Sequence, residues 1–259
     1  MKTLDHYGMT VLASDGVEET ARAVAAQVRR AQRWAAPILG MEVAFELVVA
    51  SDADWDDVAQ VPVRLPHADQ DRVTVGAERG PFFTDVVRAY LPYVTPGTRA
   101  RLEAAYGPDL DLRPFVDAIV VHELGHIYHL QVPFEFPRFW LAEFFANLVM
   151  VGHVAEVEPM LQPMVDAFAR AAVETPGSTQ AVSALDDMAQ SLDVGASAYV
   201  WYQMVLIDFA TRLWQAAGAE GLRAVFDRFR TTDMTDGELR EALRGVHPTA
   251  EAVITDWPG

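Results

Sequence analysis

Asp111-Leu112-Arg113-Pro114-Phe115-Val116-Asp117-Ala118-Ile119-Val120-Val121-His122-Glu123-Leu124-Gly125-His126 is the stretch on which the fold and chemistry of this chain turn. Phe115, Ile119, Val120 and Leu124 recur at helical spacing. Pro114 falls in the first turn, where its missing N–H is harmless, and Asp111 is placed to cap the helix. On that helix, His122-Glu123-Leu124-Gly125-His126 follows the His-Glu-x-x-His arrangement of zinc sites. Side chains four apart face the same way, so both imidazoles can reach one ion. Glu123 is turned about 100° away, so it can touch a metal-bound water without being a ligand. A chain of this composition would contain even the looser His-acid-x-x-His pattern by chance only about 0.03 times, which favours a metal site over two unrelated surface histidines.

Catalytic zinc takes three protein ligands and keeps one position open. Downstream, Phe139-Trp140-Leu141-Ala142-Glu143-Phe144-Phe145-Ala146-Asn147 reads as a strongly apolar helix carrying one carboxylate. A buried carboxylate needs a cation, so Glu143 is expected either to complete the ligand set or to pair with a neighbour such as Arg138. Asn147 lies one turn later on the same face, where its amide oxygen can accept the free N–H of a zinc-bound imidazole. His129 shares the face of His122 and His126 and is expected either to cap the helix end before Pro133 or to substitute as a ligand. Glu135, in the Pro-bounded connection, is a weaker third-ligand candidate. His153, alone on an apolar helix, reads as a hydrogen-bonded core residue.

Around these motifs the pattern is α+β and mostly α. A helix is predicted over Val17 to Trp34, with Arg29, Arg30 and Arg33 suiting its C-terminus and Pro37 and Gly40 stopping it. Met41 to Ala50 reads as a strand, then comes a polar loop through Pro62 and Pro66, then a short strand Arg72 to Val75 ending at Gly76. From Phe82 onward the chain reads as helical. No repeat or low-complexity tract interrupts residues 1–259, so a single domain is expected. Its α/β lobe covers about 1–132, its helical lobe about 133–259, and the seam falls between Pro133 and Pro137.

Composition narrows the function. The chain has 37 acidic against 20 basic residues, a net charge of −17, which would repel a phosphate backbone and excludes nucleic acid as an expected partner. It has no cysteine, so a zinc site must be built from His and carboxylate. The apolar run Phe139 to Ala155 is interrupted by Glu143, Asn147 and His153 and reads as a buried helix, so no membrane association is expected. Met1 to His6 lacks the apolar core of a secretory signal, and the cytoplasm is the expected compartment.

The two motifs together resemble the gluzincin metallopeptidases, especially the catalytic domain of M1-type aminopeptidases and small bacterial relatives, over roughly residues 110 to 230. That resemblance implies a zincin (thermolysin-like) fold and one zinc ion per chain, held by His122, His126 and Glu143. It also implies Glu123 as general base, and a peptide or small amide as substrate. In that group a Tyr early in a later helix stabilises the oxyanion. Ala198-Tyr199-Val200-Trp201-Tyr202-Gln203-Met204 resembles that region, so Tyr202 and Tyr199 are both candidates, and either could equally be a core aromatic. The group also has an edge strand beside the cleft with a Gly-Ala-Met-Glu-Asn motif; Gly76-Ala77-Glu78 resembles its start and implies a substrate-binding role for Glu78. Two other functions fit the same residues: hydrolysis of a non-peptide amide, and a non-catalytic zinc-binding interaction domain. The acid excess favours cationic substrates weakly.

Overall fold

The computed structural model describes residues 1–4, 8–61, 64–78, 80–133, 135–229 and 234–259; Pro62 lies outside them. Two short strands, β1 (Lys2–Leu4) and β2 (Thr10–Ala13), lead into α1 (Glu18–Leu39) and β3 (Glu46–Ala50). A single helical turn, α2 (Trp55–Val58), precedes β4 (His67–Asp69) and β5 (Arg72–Gly76). Helices follow: α3 (Phe82–Tyr90), α4 (Pro96–Tyr106), α5 (Phe115–Leu130), α6 (Phe139–Glu156), α7 (Gln162–Glu174), α8 (Met188–Val194), α9 (Ala196–Arg228), α10 (Asp236–Val246) and α11 (Pro248–Thr255). The fold is thus α+β and mostly helical, with one small five-stranded sheet.

The sheet runs β1-β2-β3-β5-β4, with β2, β3 and β5 parallel and the outer strands antiparallel. Its parallel centre explains why Leu47-Val48-Val49-Ala50 and Val73-Thr74-Val75, apolar but for Thr74, are buried throughout. The strand expected from Met41 begins only at Glu46, because its partner β2 pairs no further back than Thr10. The backbone of Ala44 is held instead by the Gln131 side chain, which donates to Ala44 O (2.7 Å) and accepts from Ala44 N (3.3 Å), tying the end of α5 to the sheet.

α1 runs five residues beyond Trp34. Pro37 sits on its exposed side in the last turn, where one lost hydrogen bond is tolerated, and the left-handed Gly40 (φ 68°) ends the helix by donating to Ala36 O. The arginines expected at its end therefore lie mid-helix, where Arg30 pairs with Glu158 (2.5 Å). Asp111 does not cap α5. Its carboxylate is taken by the backbone and guanidinium of Arg113, and α5 starts at Phe115 without a side-chain cap.

α5, α6 and α9 pack side by side in the core. α6 is buried on almost every side, and α9 is broken at Gly218 (φ 53°). Gly125 of α5 lies against the backbone of Ala146 of α6, which brings the two helices unusually close. The Pro133–Pro137 stretch is the connection between them, and one continuous apolar core spans both sides of it. Among the described residues, no single helix is long and apolar enough to cross a membrane.

Candidate metal centre

α5 and α6 bring three donor atoms together. His122 Nε2 and His126 Nε2 are 2.9 Å apart, and Glu143 Oε2 is 3.2 Å from the first and 3.3 Å from the second. A tetrahedral ion with bonds of about 2.0–2.1 Å holds its ligand atoms about 3.3 Å apart, so the trio suits zinc in spacing as well as in its nitrogen and oxygen donors. His122 and Glu143 are only 6% and 4% exposed. Arg138, the other partner considered for Glu143, turns instead to Asp236 (2.8 Å) near the surface.

The outer nitrogens of both imidazoles are engaged. His122 Nδ1 lies 2.9 Å from Asn147 Oδ1, and Asn147 Nδ2 in turn donates to Gln203 Oε1 (2.8 Å). The Asn147 orientation is therefore fixed: His122 Nδ1 carries the proton, and its Nε2 lone pair faces the centre. His126 Nδ1 lies 2.8 Å from His129 Nε2. His129 accordingly neither caps the helix nor joins the trio. It supports His126 from behind, packed edge-on against Phe136 and Phe145.

The charges agree with this arrangement. Burial alone would raise Glu143, but the neighbouring His126 and His122 bring its carboxyl well below the usual range. Burial would depress His126, yet Glu143 more than offsets that and carries it up to about 9. Burial lowers His122, and burial together with the neighbouring His126 pushes His129 down to about 3, so His129 stays neutral and able to accept from His126. With no metal, the carboxylate is thus matched by a proton on His126; a divalent cation would take the place of that proton.

Glu123 opens onto the same cleft. Burial pushes its carboxyl up to about 8, against the pull of His126 and of a hydrogen bond from the Ala68 backbone on β4. β4 is the sheet edge beside the site. β5, which carries Gly76, is interior, flanked by β3 and β4, and this corrects the edge-strand expectation. Gly76 pairs with Ala50, Ala77 N donates to Ala50 O, and the Glu78 carboxylate accepts from Asp52 N. None of the three lines the cleft.

The two candidate tyrosines part company. Tyr199 lines the cleft, and its hydroxyl accepts from Gln203 Nε2 (2.7 Å). Burial, followed by the charges of Glu143 and Glu123, holds it well above its ordinary value, so it stays protonated. Tyr202 points away: it stacks on Trp257, and its hydroxyl donates to Ala184 O (2.8 Å), making it a core aromatic. Gln203, to which the sequence reading gave no role, donates to Glu143 Oε2 (2.5 Å) as well as to Tyr199. Its signal was there to read, as an amide in an otherwise apolar run one turn after Tyr199. Glu135 lines the cleft but stands apart from the three converging donors.

The cleft has a volume of about 1210 Å³. No family model, curated protein or solved structure matches the chain.

Proposed function

We propose that this protein is a zinc-dependent hydrolase of the gluzincin kind, cleaving a peptide or small amide bond. The observation that carries the reading is the meeting of His122 Nε2, His126 Nε2 and Glu143 Oε2 on the wall of a cleft that also presents Glu123 and Tyr199. The order of sheet, motif helix and ligand-bearing helix supports a zincin-like fold. Zinc, when bound, acts as a Lewis acid and lowers the pKa of a coordinated water toward about 7.

The protein's own groups do the rest. Glu123, its carboxylate held by Ala68 N–H, takes a proton from the attacking water and returns it to the leaving nitrogen. Tyr199, kept protonated, donates its hydrogen to the oxygen that gains charge on attack. Asn147 fixes the His122 tautomer, and Gln203 holds Glu143 and Tyr199 in mutual register. A purely structural zinc site has no use for a buried carboxyl like Glu123 facing its cleft, which favours catalysis over a zinc-binding interaction role.

Purified protein should carry about one zinc per chain. Glu123→Gln should keep the zinc while turnover falls by about 10²–10⁴. Wild-type turnover in that variant, or zinc retained by a His122→Ala/His126→Ala double variant, would overturn the proposal.

A further inference from the structure

Gln203 joins the ligand trio to Tyr199 through hydrogen bonds whose direction is fixed at both ends. A metal-binding carboxylate can only accept, so the end of the carboxamide that lies 2.5 Å from Glu143 Oε2 must be its nitrogen, Nε2. Gln203 Oε1 therefore faces Asn147 and accepts from its Nδ2 (2.8 Å), which leaves Asn147 Oδ1 for the Nδ1–H of His122 (2.9 Å). Turning the carboxamide around would set Oε1 against the carboxylate and Nε2 against Asn147 Nδ2. All three of its bonds would go, at a place where Gln203 is 8% and Asn147 1% exposed and little water can replace them. The second N–H of Gln203 is thereby committed too. It points at the hydroxyl oxygen of Tyr199, 2.7 Å away and one turn earlier on α9. A hydroxyl that accepts along that line has its own hydrogen turned away from Gln203. That hydrogen is left for Glu143 at rest, or for an oxygen of the substrate.

We propose that Gln203 is a positioning residue that sets the direction of the Tyr199 O–H: by donating to the phenol oxygen, it makes Tyr199 present its hydrogen to the oxygen of the reacting group. The inference rests on the proposed hydrolytic zinc site and deepens it. Any side chain of this size would keep Glu143 and Tyr199 at a fixed spacing, whereas fixing the direction needs a donor at this point. Glutamine supplies two donors and one acceptor from one planar group. A glutamate of the same length would reverse the last bond. Ionised, it can only accept from Tyr199. Protonated, its one hydrogen goes to Glu143 and it again accepts from Tyr199. In either state the phenol hydrogen is drawn away from the reacting oxygen.

The test reads the direction and its consequence separately, in zinc-saturated protein. The C–O stretch of a phenol moves to lower frequency when its oxygen accepts a hydrogen bond and to higher frequency when its hydroxyl donates one. The infrared difference between wild type and Tyr199→Phe isolates that band for Tyr199 among the seven tyrosines. In Gln203→Glu the band should move to higher frequency. On an internally quenched peptide that the wild type cleaves, Gln203→Glu should lower kcat by about 10²–10³, as Tyr199→Phe does, with KM changed by less than about threefold. Adding Tyr199→Phe to Gln203→Glu should then cost less than about threefold more. Gln203→Met keeps the length and removes both donors without reversing the bond. It should lower kcat by about tenfold and reduce the cost of Tyr199→Phe by the same factor, and it decides the matter if the new carboxyl of Gln203→Glu binds zinc or prevents folding.

An unmoved Tyr199 band in Gln203→Glu overturns the inference while leaving the zinc reading standing. So does wild-type kcat in either variant at full zinc occupancy, and so do losses at positions 203 and 199 that multiply in full. Absence of zinc from the trio, or turnover that persists in Glu123→Gln, refutes the zinc reading instead; the infrared band still reports the direction of the Tyr199 hydroxyl in that protein.

Discussion

Replacing Gly125 by alanine would wedge a methyl group between the two helices that carry the proposed zinc ligands. A Cβ at that position would meet Ala146 Cα at 2.7 Å, Ala146 Cβ at 3.1 Å and Ala146 O at 3.2 Å. Carbon atoms pack at about 3.5–4.0 Å, so α5 and α6 must part by close to 1 Å at the crossing. Two of the three obstructing atoms are backbone, so no rotamer change relieves the clash. Against this, alanine in a helix interior is favoured over glycine by about 0.5–1 kcal/mol. Overpacking costs about 1–3 kcal/mol, so the net effect is a loss of about 1 kcal/mol, or a fall of about 2–4 °C in melting temperature for a chain of this size.

The metal should respond more sharply than the fold. Both imidazoles ride on α5, whereas Glu143 rides on α6 three residues before Ala146. Metal–ligand distances tolerate only about ±0.2 Å, so a shift several times larger detaches Glu143 or strains it. Zinc affinity, measured by competition with a chelator, should fall by at least about tenfold, and the rise in melting temperature on adding zinc should shrink with it. A variant that melts above wild type and keeps its zinc affinity within about twofold would refute the reasoning, because the crossing would then have slack and could not be what sets the ligand spacing.

The remaining predictions concern single side chains. Tyr199→Phe should keep zinc and lower turnover by about 10²–10³, whereas Tyr202→Phe should leave turnover unchanged and cost about 1 kcal/mol of stability in denaturant unfolding. His129→Phe removes the acceptor behind His126 Nδ1 and should weaken zinc binding by about 10–100-fold in a chelator titration, with His129→Asn recovering part of the loss. His153 is fully buried; among the described residues neither ring nitrogen has a partner, and the ring stands edge-on to Trp34. Burial, opposed by Glu158 and reinforced by Arg30, lowers it to about 4. Its folded-state value therefore lies below the unfolded one, so its contribution is complete above about pH 6.5 and is lost as pH falls toward 4, a change of about 3 kcal/mol. His153→Phe should flatten the stability profile over that window relative to wild type; an unchanged profile would show that His153 is solvated in the folded protein.

What the sequence allowed to be read, and what it did not, follows from how local each determinant is. The helical positions of His122, Glu123 and His126 are fixed within one turn of α5, and the carboxylate of Glu143 stands out on an apolar helix because its burial demands a cation. β4 was passed over because three residues, two of them polar, carry no strand signal; the strand exists through its pairing with β5. β5 was expected at an edge from the resemblance, and its pairing with β4 makes it interior. The choice between Tyr199 and Tyr202 turns on Trp257, 55 positions beyond Tyr202, whose ring takes one of the two tyrosines into the core. Neither spacing nor composition reports that contact.

One regularity was legible in full. Three apolar helices each carry a polar pair at a spacing of four: His122 and His126 on α5, Glu143 and Asn147 on α6, Tyr199 and Gln203 on α9. Each pair forms a single stripe on its helix, and a stripe buried alone would leave several polar groups without partners. Facing one another, they close the account: His122 Nδ1 gives to Asn147, Asn147 gives to Gln203, and Gln203 gives to both Glu143 and Tyr199. Sliding any one helix by a turn would break the chain of bonds and strand a buried amide or carboxylate. Apolar contacts alone tolerate many such slides. The polar chain therefore selects the register in which the three helices pack, and in that register the two imidazoles and the carboxylate converge.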